Sequence, residues 1–402
     1  MNSSLRIRSM PVSAVRKLAP YATAAKQAGA TVFHLNIGDP DVKTPEAMLA
    51  VLRNWDRNPI GYAPSPGEPA FLRALESYYH GLGFGFLTES DIVATVGGSE
   101  AIIMALFSVC EPGDEVLVFE PFYSNYASLA AMADVRFVAV PTTLQTGFHL
   151  PERTQIEQRI TGRTKAILFC TPGNPTGTVF TRTEMEMLVT IAKERNLFLI
   201  SDEVYREYIF TGAPKHTSIL HFMESLPDRT IMLDSLSKRY SLCGARLGVF
   251  VSRNPELVQG AVKIAQSRLS GGLIDQLVGA ALTEVPQSFI AEVQREYESR
   301  RDILYTGLTA IPGVTMTRPE GAFYSMVGLP VPDAEQFCIW LLEKYRSEGN
   351  ATVMLAPGTG FYLTPGKGKS EVRIAYVLNT SDLKTCITML ADALEQYPER
   401  IR

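Results

Sequence analysis

Long apolar runs are missing from this chain. The closest, Ala101 to Cys110, falls well short of the roughly 20 residues a membrane span needs, and Glu100 precedes it. Cysteine is scarce: Cys110, Cys170, Cys243, Cys338 and Cys386 are far apart, odd in number, and none forms a C-x-x-C pair. Neither a disulfide framework nor a thiolate zinc site is expected. The five histidines (His34, His80, His149, His216, His221) lack metal-ligand spacing, so no metal is expected. An excess of basic charge is also absent, with 38 Lys and Arg against 42 Asp and Glu, which gives no electrostatic case for nucleic acid or an anionic membrane. The basic residues near the start, Arg6, Arg8, Arg16 and Lys17, are scattered and read as a solvated beginning. That beginning has no apolar stretch of the secretory kind. The expectation is a cytoplasmic, metal-free globular protein without low-complexity segments or internal repeats.

What is present is enough apolar material, 46% of 402 residues, for one large core or two linked ones. A helix is expected over Val12–Ala28, broken or kinked at Pro20, and another after Thr44 as its cap with Pro45 in the first position. From Ile92 onward, strand candidates alternate with helices. The strands are Ile92–Val96, Glu115–Phe119, Val135–Val140, Ala166–Cys170, Leu197–Ser201, Thr230–Leu233 and Leu247–Val251. Several are continuously apolar, as in a sheet covered on both faces, which points to a doubly wound, mostly parallel α/β sheet. After about Asn254 the character changes. A long helix, Pro286 to Leu308, leads into strands Val314–Thr317, Ala322–Met326 and Val372–Val377 and helices Ala334–Ser347 and Ser381–Gln396. The expected division is a large domain over residues 41–290 and a smaller α+β domain from 1–40 plus 291–402.

The stretch from Asp234 to Val251, DSLSKRYSLCGARLGVFV, carries the most chemistry. Ser235, Ser237 and Arg246 suit a phosphate, the arginine by a forked, charge-assisted pair. Lys238 beside them is a candidate Schiff-base nucleophile. Together they describe a site for pyridoxal 5′-phosphate (PLP), although a lone S-x-S-K is often only a solvated loop before a strand. Three further strand ends carry partners, and ligands of open α/β sheets bind at such ends. Gly97-Gly98-Ser99-Glu100 opens a helix whose free N–H groups suit a phosphate, or is merely a tight turn. Thr171-Pro172-Gly173-Asn174-Pro175-Thr176-Gly177 is a rigid double turn in which the Asn174 amide could reach a phenolic oxygen. Ser201-Asp202-Glu203-Val204-Tyr205 ends an apolar strand, where Asp202 either caps a following helix or keeps a pyridine nitrogen protonated.

These motifs, with Asn36-Ile37-Gly38-Asp39-Pro40-Asp41 and Glu371-Val372-Arg373-Ile374, resemble the class I/II aminotransferases of PLP fold type I, of the aspartate aminotransferase-like kind, over nearly the whole chain. The resemblance implies the following roles. Lys238 joins the cofactor and moves a proton, Asp202 pairs with the pyridinium, and Asn174 and Tyr205 bond the phenolic oxygen. Gly98, Ser99, Glu100, Ser235, Ser237 and Arg246 surround the phosphate, and Tyr123 stacks on the ring unless it only packs a helix start. Gly38, Asn174 and Arg373 meet the substrate, with Arg373 clamping its α-carboxylate unless it is an edge-strand ion pair with Glu371. Tyr62 reaches the neighbouring subunit's phosphate, which implies a homodimer with shared sites. Arg268 is expected to cross to the partner's site and read a dicarboxylic side chain, or to face solvent at a helix end; Phe323 and Tyr324 could instead line a pocket for an apolar side chain. The function expected is exchange of an amino group between an amino acid, best aspartate or glutamate, and a 2-oxo acid by a ping-pong cycle. A PLP-dependent lyase or decarboxylase on the same scaffold is the alternative. A non-catalytic PLP-fold sensor is a distant third, because it would need an attached DNA-binding module.

Overall fold

The apolar runs become the strands of one seven-stranded sheet in the computed structural model, which describes residues 3–401. From edge to edge they are Ile92–Val96, Leu247–Val251, Thr230–Ser235, Phe198–Asp202, Thr164–Cys170, Glu115–Glu120 and Arg136–Pro141. Leu247–Val251 runs antiparallel to both neighbours, and the other pairs are parallel. The pleat explains why these strands are apolar throughout. Val116 and Val118 enter one core while Leu117 and Phe119 enter another, and Ala166 and Leu168 alternate in the same way with Ile167 and Phe169. Helices Gly97–Val109, Asn125–Ala133 and Pro255–Ser267 cover the first face; Pro69–Gly81, Arg182–Arg195 and Leu273–Ala280 cover the second. The fold class is α/β, with a doubly wound, mostly parallel sheet.

The remainder forms a four-stranded antiparallel sheet, ordered Ala356–Pro357, Glu371–Ala375, Tyr324–Gly328, Thr315–Met316, and a parallel pair, Thr31–His34 with Ala351–Met354. Helices Gln287–Thr309 and Thr380–Gln396 pack on it. Its core takes Leu18, Ala22, Val32 and Leu35 from the first forty residues, and also Tyr205, Tyr208 and Phe210 from the loop beyond Asp202. The second body is thus anchored directly behind the end of a large-sheet strand. No described helix is long and apolar enough to cross a membrane.

Several elements differ from the sequence expectation. The first long helix is Ala19–Gln27, with Pro20 in its opening turn, where its missing N–H costs nothing. Thr44 does not cap its helix; Pro45 occupies the cap position and Thr44 Oγ1 donates to Ser241 O at 3.0 Å. Helices Pro255–Ser267 and Leu273–Ala280 and strand Ala351–Met354 were not expected. No helix follows Asp202: residues 204–207 form a turn, so Asp202 caps no helix.

Candidate active site

The ends of three neighbouring strands and the two bodies' contact enclose a cleft of about 200 Å³. On its large-sheet side, strand Phe198–Asp202 delivers Asp202, buried between two hydrogen-bonded neighbours. Tyr126 donates its hydroxyl to Asp202 Oδ2 at 2.5 Å and the Val204 N–H reaches Oδ1 at 3.3 Å. Among the described residues no cation pairs with this carboxylate. Burial pushes it up to about 6, against the opposing pull of those two donors.

The next strand, Thr230–Ser235, ends in a one-turn helix, Leu236–Arg239, whose cap is the Ser235 hydroxyl accepting from Ser237 N–H at 3.1 Å. That turn presents Lys238, whose Nζ donates to Gly38 O at 2.7 Å and lies 3.3 Å from Cys243 Sγ. Burial disfavours its ammonium, but the Tyr324 phenol and Cys243 thiol outweigh burial and hold it above the usual lysine range. Gly98 and Ser99 line the same cleft at the start of helix Gly97–Val109, with Ser235, Ser237 and Arg246. Gly97 has φ +72°, a conformation that side chains rarely adopt, and a Cβ there would press on the Arg246 guanidinium at 2.5 Å, so glycine is favoured at this corner.

The second body supplies the opposite kind of charge. Arg373 sits mid-strand between Ala356–Pro357 and Tyr324–Gly328 and is 2% exposed, so the edge-strand surface pair with Glu371 does not exist. Its Nη1 donates to Asn174 Oδ1 at 3.1 Å and its Nη2 to Asn36 O, while Nε has no partner. The guanidinium lies 4.6 Å from the Tyr324 ring and 5.1 Å from that of Phe361. Among the described residues no carboxylate pairs with it, and burial moves its pKa down. Asn174 Nδ2 in turn donates to Tyr205 Oη at 3.3 Å, and Tyr205 to Tyr324 Oη at 3.1 Å. Gly38 is needed beneath this chain, since a Cβ there would lie 1.7 Å from Tyr324 Oη.

Tyr123 also lines the cleft, edge-on to Tyr126 at 5.4 Å. Three expected residues lie outside its lining. Glu100 turns its carboxylate to Val96 N–H, 2.6 Å, and to Arg268 Nε, 2.7 Å. Arg268 also donates to Ala94 O at 2.7 Å, so Nε and Nη2 are engaged within its own chain while the buried Nη1 has no partner. It follows helix Pro255–Ser267, whose unforeseen length sets where it emerges. Tyr62 is 82% exposed. Phe323 is buried against Tyr205, Tyr208 and Tyr297, so of the aromatic pair only Tyr324 faces the cleft. Sequence reasoning missed Tyr126, whose one signal was its spacing of three from Tyr123, and Arg16, which lines the mouth.

A doubly wound sheet brings a lysine and a buried carboxylate at its strand ends into one cleft with a buried guanidinium of the second body, an arrangement suited to an enzyme site. The family model for aminotransferase class I and II matches residues 30–390, and the chain belongs to that family and is an aminotransferase. It is 30% identical over 398 residues to a probable aspartate/prephenate aminotransferase of Thermus aquaticus, covering 98% of this chain and 99% of the relative. A solved aspartate aminotransferase of Thermus thermophilus with maleate superposes with TM-score 0.87 at 29% identity, over 98% of this chain and all of that one. An alanine aminotransferase of Pyrococcus furiosus also superposes with TM-score 0.87, at 27% identity and the same coverage.

Proposed function

We propose that this aminotransferase works through pyridoxal 5′-phosphate bound in the cleft, exchanging the amino group of aspartate or glutamate with a 2-oxo acid in a ping-pong cycle. The observation that carries this reading is a pair of buried charges left without counterions beside Lys238: the Asp202 carboxylate and the Arg373 guanidinium. Leaving either charge unmatched is costly unless a ligand matches it. The donor set fits the cofactor. Asp202 suits a ring nitrogen, Asn174 and Tyr205 a ring hydroxyl, and Gly98, Ser99, Ser235, Ser237 and Arg246 a phosphate, with Tyr123 as the aromatic face. When bound, the cofactor supplies the electron sink for the pair left at the substrate's Cα.

The chain's own groups do the rest. Arg373, held by Asn174 and Asn36 with its Nε unpaired, takes the α-carboxylate and so orients Cα. Lys238 Nζ, as a neutral amine, would accept the proton from Cα and deliver it on the cofactor side, so that the amino group stays with the cofactor. Asp202 keeps a proton on the ring nitrogen, a task its raised pKa opposes until a cation sits beside it. Tyr62, projecting from its own surface, is proposed to reach the phosphate of a second subunit, so that two copies share their sites.

Aspartate is favoured by the names of the Thermus relatives, while the Pyrococcus enzyme on the same fold is named for alanine. Incubating the purified protein with single amino acids tests the reading. Conversion of the bound cofactor to its amine form by aspartate and glutamate, with the matching 2-oxo acid released, is expected. Release of ammonia or carbon dioxide instead would assign the site to elimination or decarboxylation.

A further inference from the structure

We propose that Arg16 reads the side-chain carboxylate of a dicarboxylic substrate, the task the sequence points to at Arg268. This rests on the dicarboxylate reading above and names the group that enforces it. Arg268 lies outside the cleft lining and is tied down by Nε on Glu100 and Nη2 on Ala94 O, both at 2.7 Å, with only its buried Nη1 left unpartnered. Removing it from that arrangement would leave Glu100 without its cation. Arg16 is the opposite case. It is exposed, lines the cleft that holds Lys238 and Arg373, and among the described residues makes no ion pair.

The segment that carries Arg16 is fixed at both sides. Asn36 Nδ2 donates to Val15 O at 2.8 Å, and the same asparagine's carbonyl accepts from Arg373 Nη2. Lys17 pairs with Glu335 on the other side, and the N–H groups of Arg16 and Lys17 close a turn onto Ser13 O at 3.1 and 2.9 Å. One residue, Asn36, therefore ties the α-carboxylate clamp to the backbone beside Arg16. A substrate held at Arg373 meets a second guanidinium whose base is set by the same hydrogen-bonded relay. Ser13, Ser124 and Asn125, which share the lining, are neutral, and among the described residues Asp202 is the one acid that lines the cleft. Asp202 is already engaged by Tyr126 and Val204. A cation at the mouth with no acid of its own favours a second carboxylate over a neutral side chain.

The test compares kcat/KM for aspartate and alanine in wild type, Arg16→Gln, Arg16→Lys and Arg268→Leu, together with maleate affinity of the loaded enzyme by calorimetry. The aspartate-to-alanine ratio is expected to fall about 30-fold in Arg16→Gln, with maleate binding weakened to a similar degree. Arg16→Lys should recover part of both, and Arg268→Leu should leave the ratio within about threefold. A wild type that prefers aspartate and binds maleate, with both properties unchanged in Arg16→Gln, overturns the role of Arg16 alone. A wild type that prefers alanine and does not bind maleate overturns the dicarboxylate reading, and the role of Arg16 with it.

Discussion

Asp202 and Glu203 are adjacent, both buried and both carboxylates, yet their surroundings drive them apart. Glu203 accepts from Ser201 Oγ at 3.0 Å, His216 Nε2 at 3.0 Å and Ile219 N–H at 2.7 Å, with Arg206 3.8 Å away. Burial alone would raise it, but His216 and Arg206 prevail and hold it down at about 2. Asp202 has two donors and, among the described residues, no cation, and burial lifts it to about 6. The same contrast separates two buried arginines. Arg239 donates to Asp234 at 2.7 Å and lies 4.2 Å from the Tyr78 ring, whereas Arg373 has no carboxylate among the described residues. Charges matched within the chain hold the scaffold; those left unmatched face the cleft, where a ligand must match them.

The contrast breaks or holds on paired variants. Arg373→Ala should cost on the order of 2–5 kcal/mol in kcat/KM for every amino acid tried, with little loss of Tm, because an uncompensated buried charge leaves with it. Glu203→Gln should do the reverse. It should destabilise by about 3 kcal/mol, since His216 and Arg206 lose their anion, while turnover per folded molecule stays within a few-fold. Denaturant titrations beside steady-state kinetics would read both, and the opposite pattern would erase the distinction between scaffold and site.

A smaller effect sharpens it. With its folded pKa raised from the ordinary 3.8 to about 6, Asp202 favours folding while protonated. That contribution is fully present below about 3.8 and lost as pH rises through about 6. Cofactor-free wild type should therefore lose on the order of 2–3 kcal/mol relative to Asp202→Asn between those limits. Equal pH slopes would mean the carboxylate is better compensated than its contacts allow. The smallest effect belongs to His149, which bridges Glu184 at 3.0 Å and Glu320 at 3.3 Å. Its hydrogen bonds to Glu184, then Glu320, raise it to about 10. His149→Gln should cost about 1–2 kcal/mol near pH 7. The wild-type advantage is present below 6.5 and should disappear as pH passes about 10.

Much of this was legible in local pattern. Ala166–Cys170 declares itself because every residue of a doubly covered parallel strand is apolar. The Lys238 loop and the Asn174 turn do so because their spacing is unusual. Strand Ala351–Met354 is four residues without alternation, and only its pairing with Thr31–His34, more than three hundred positions away, makes it a strand. The arginines divide in the same way. Arg373 sat in a motif, while the partners that distinguish Arg268 from Arg16 come from segments distant in the chain. Glu100 is 168 residues from Arg268, and the segment that carries Arg16 is held by Asn36 at Val15 and by Glu335 at Lys17. Composition had assigned Arg16 to a solvated start, and nothing local contradicts that.

The central claim is that Lys238 is the residue that joins the cofactor, beside two charges kept unmatched for it and for the substrate. Borohydride reduction of the PLP-loaded protein, followed by peptide mapping, tests it directly. The prediction is a single pyridoxyl group on Lys238, absent from Lys238→Ala even though that variant still folds. A label on another lysine, or full labelling and turnover in Lys238→Ala, would contradict it.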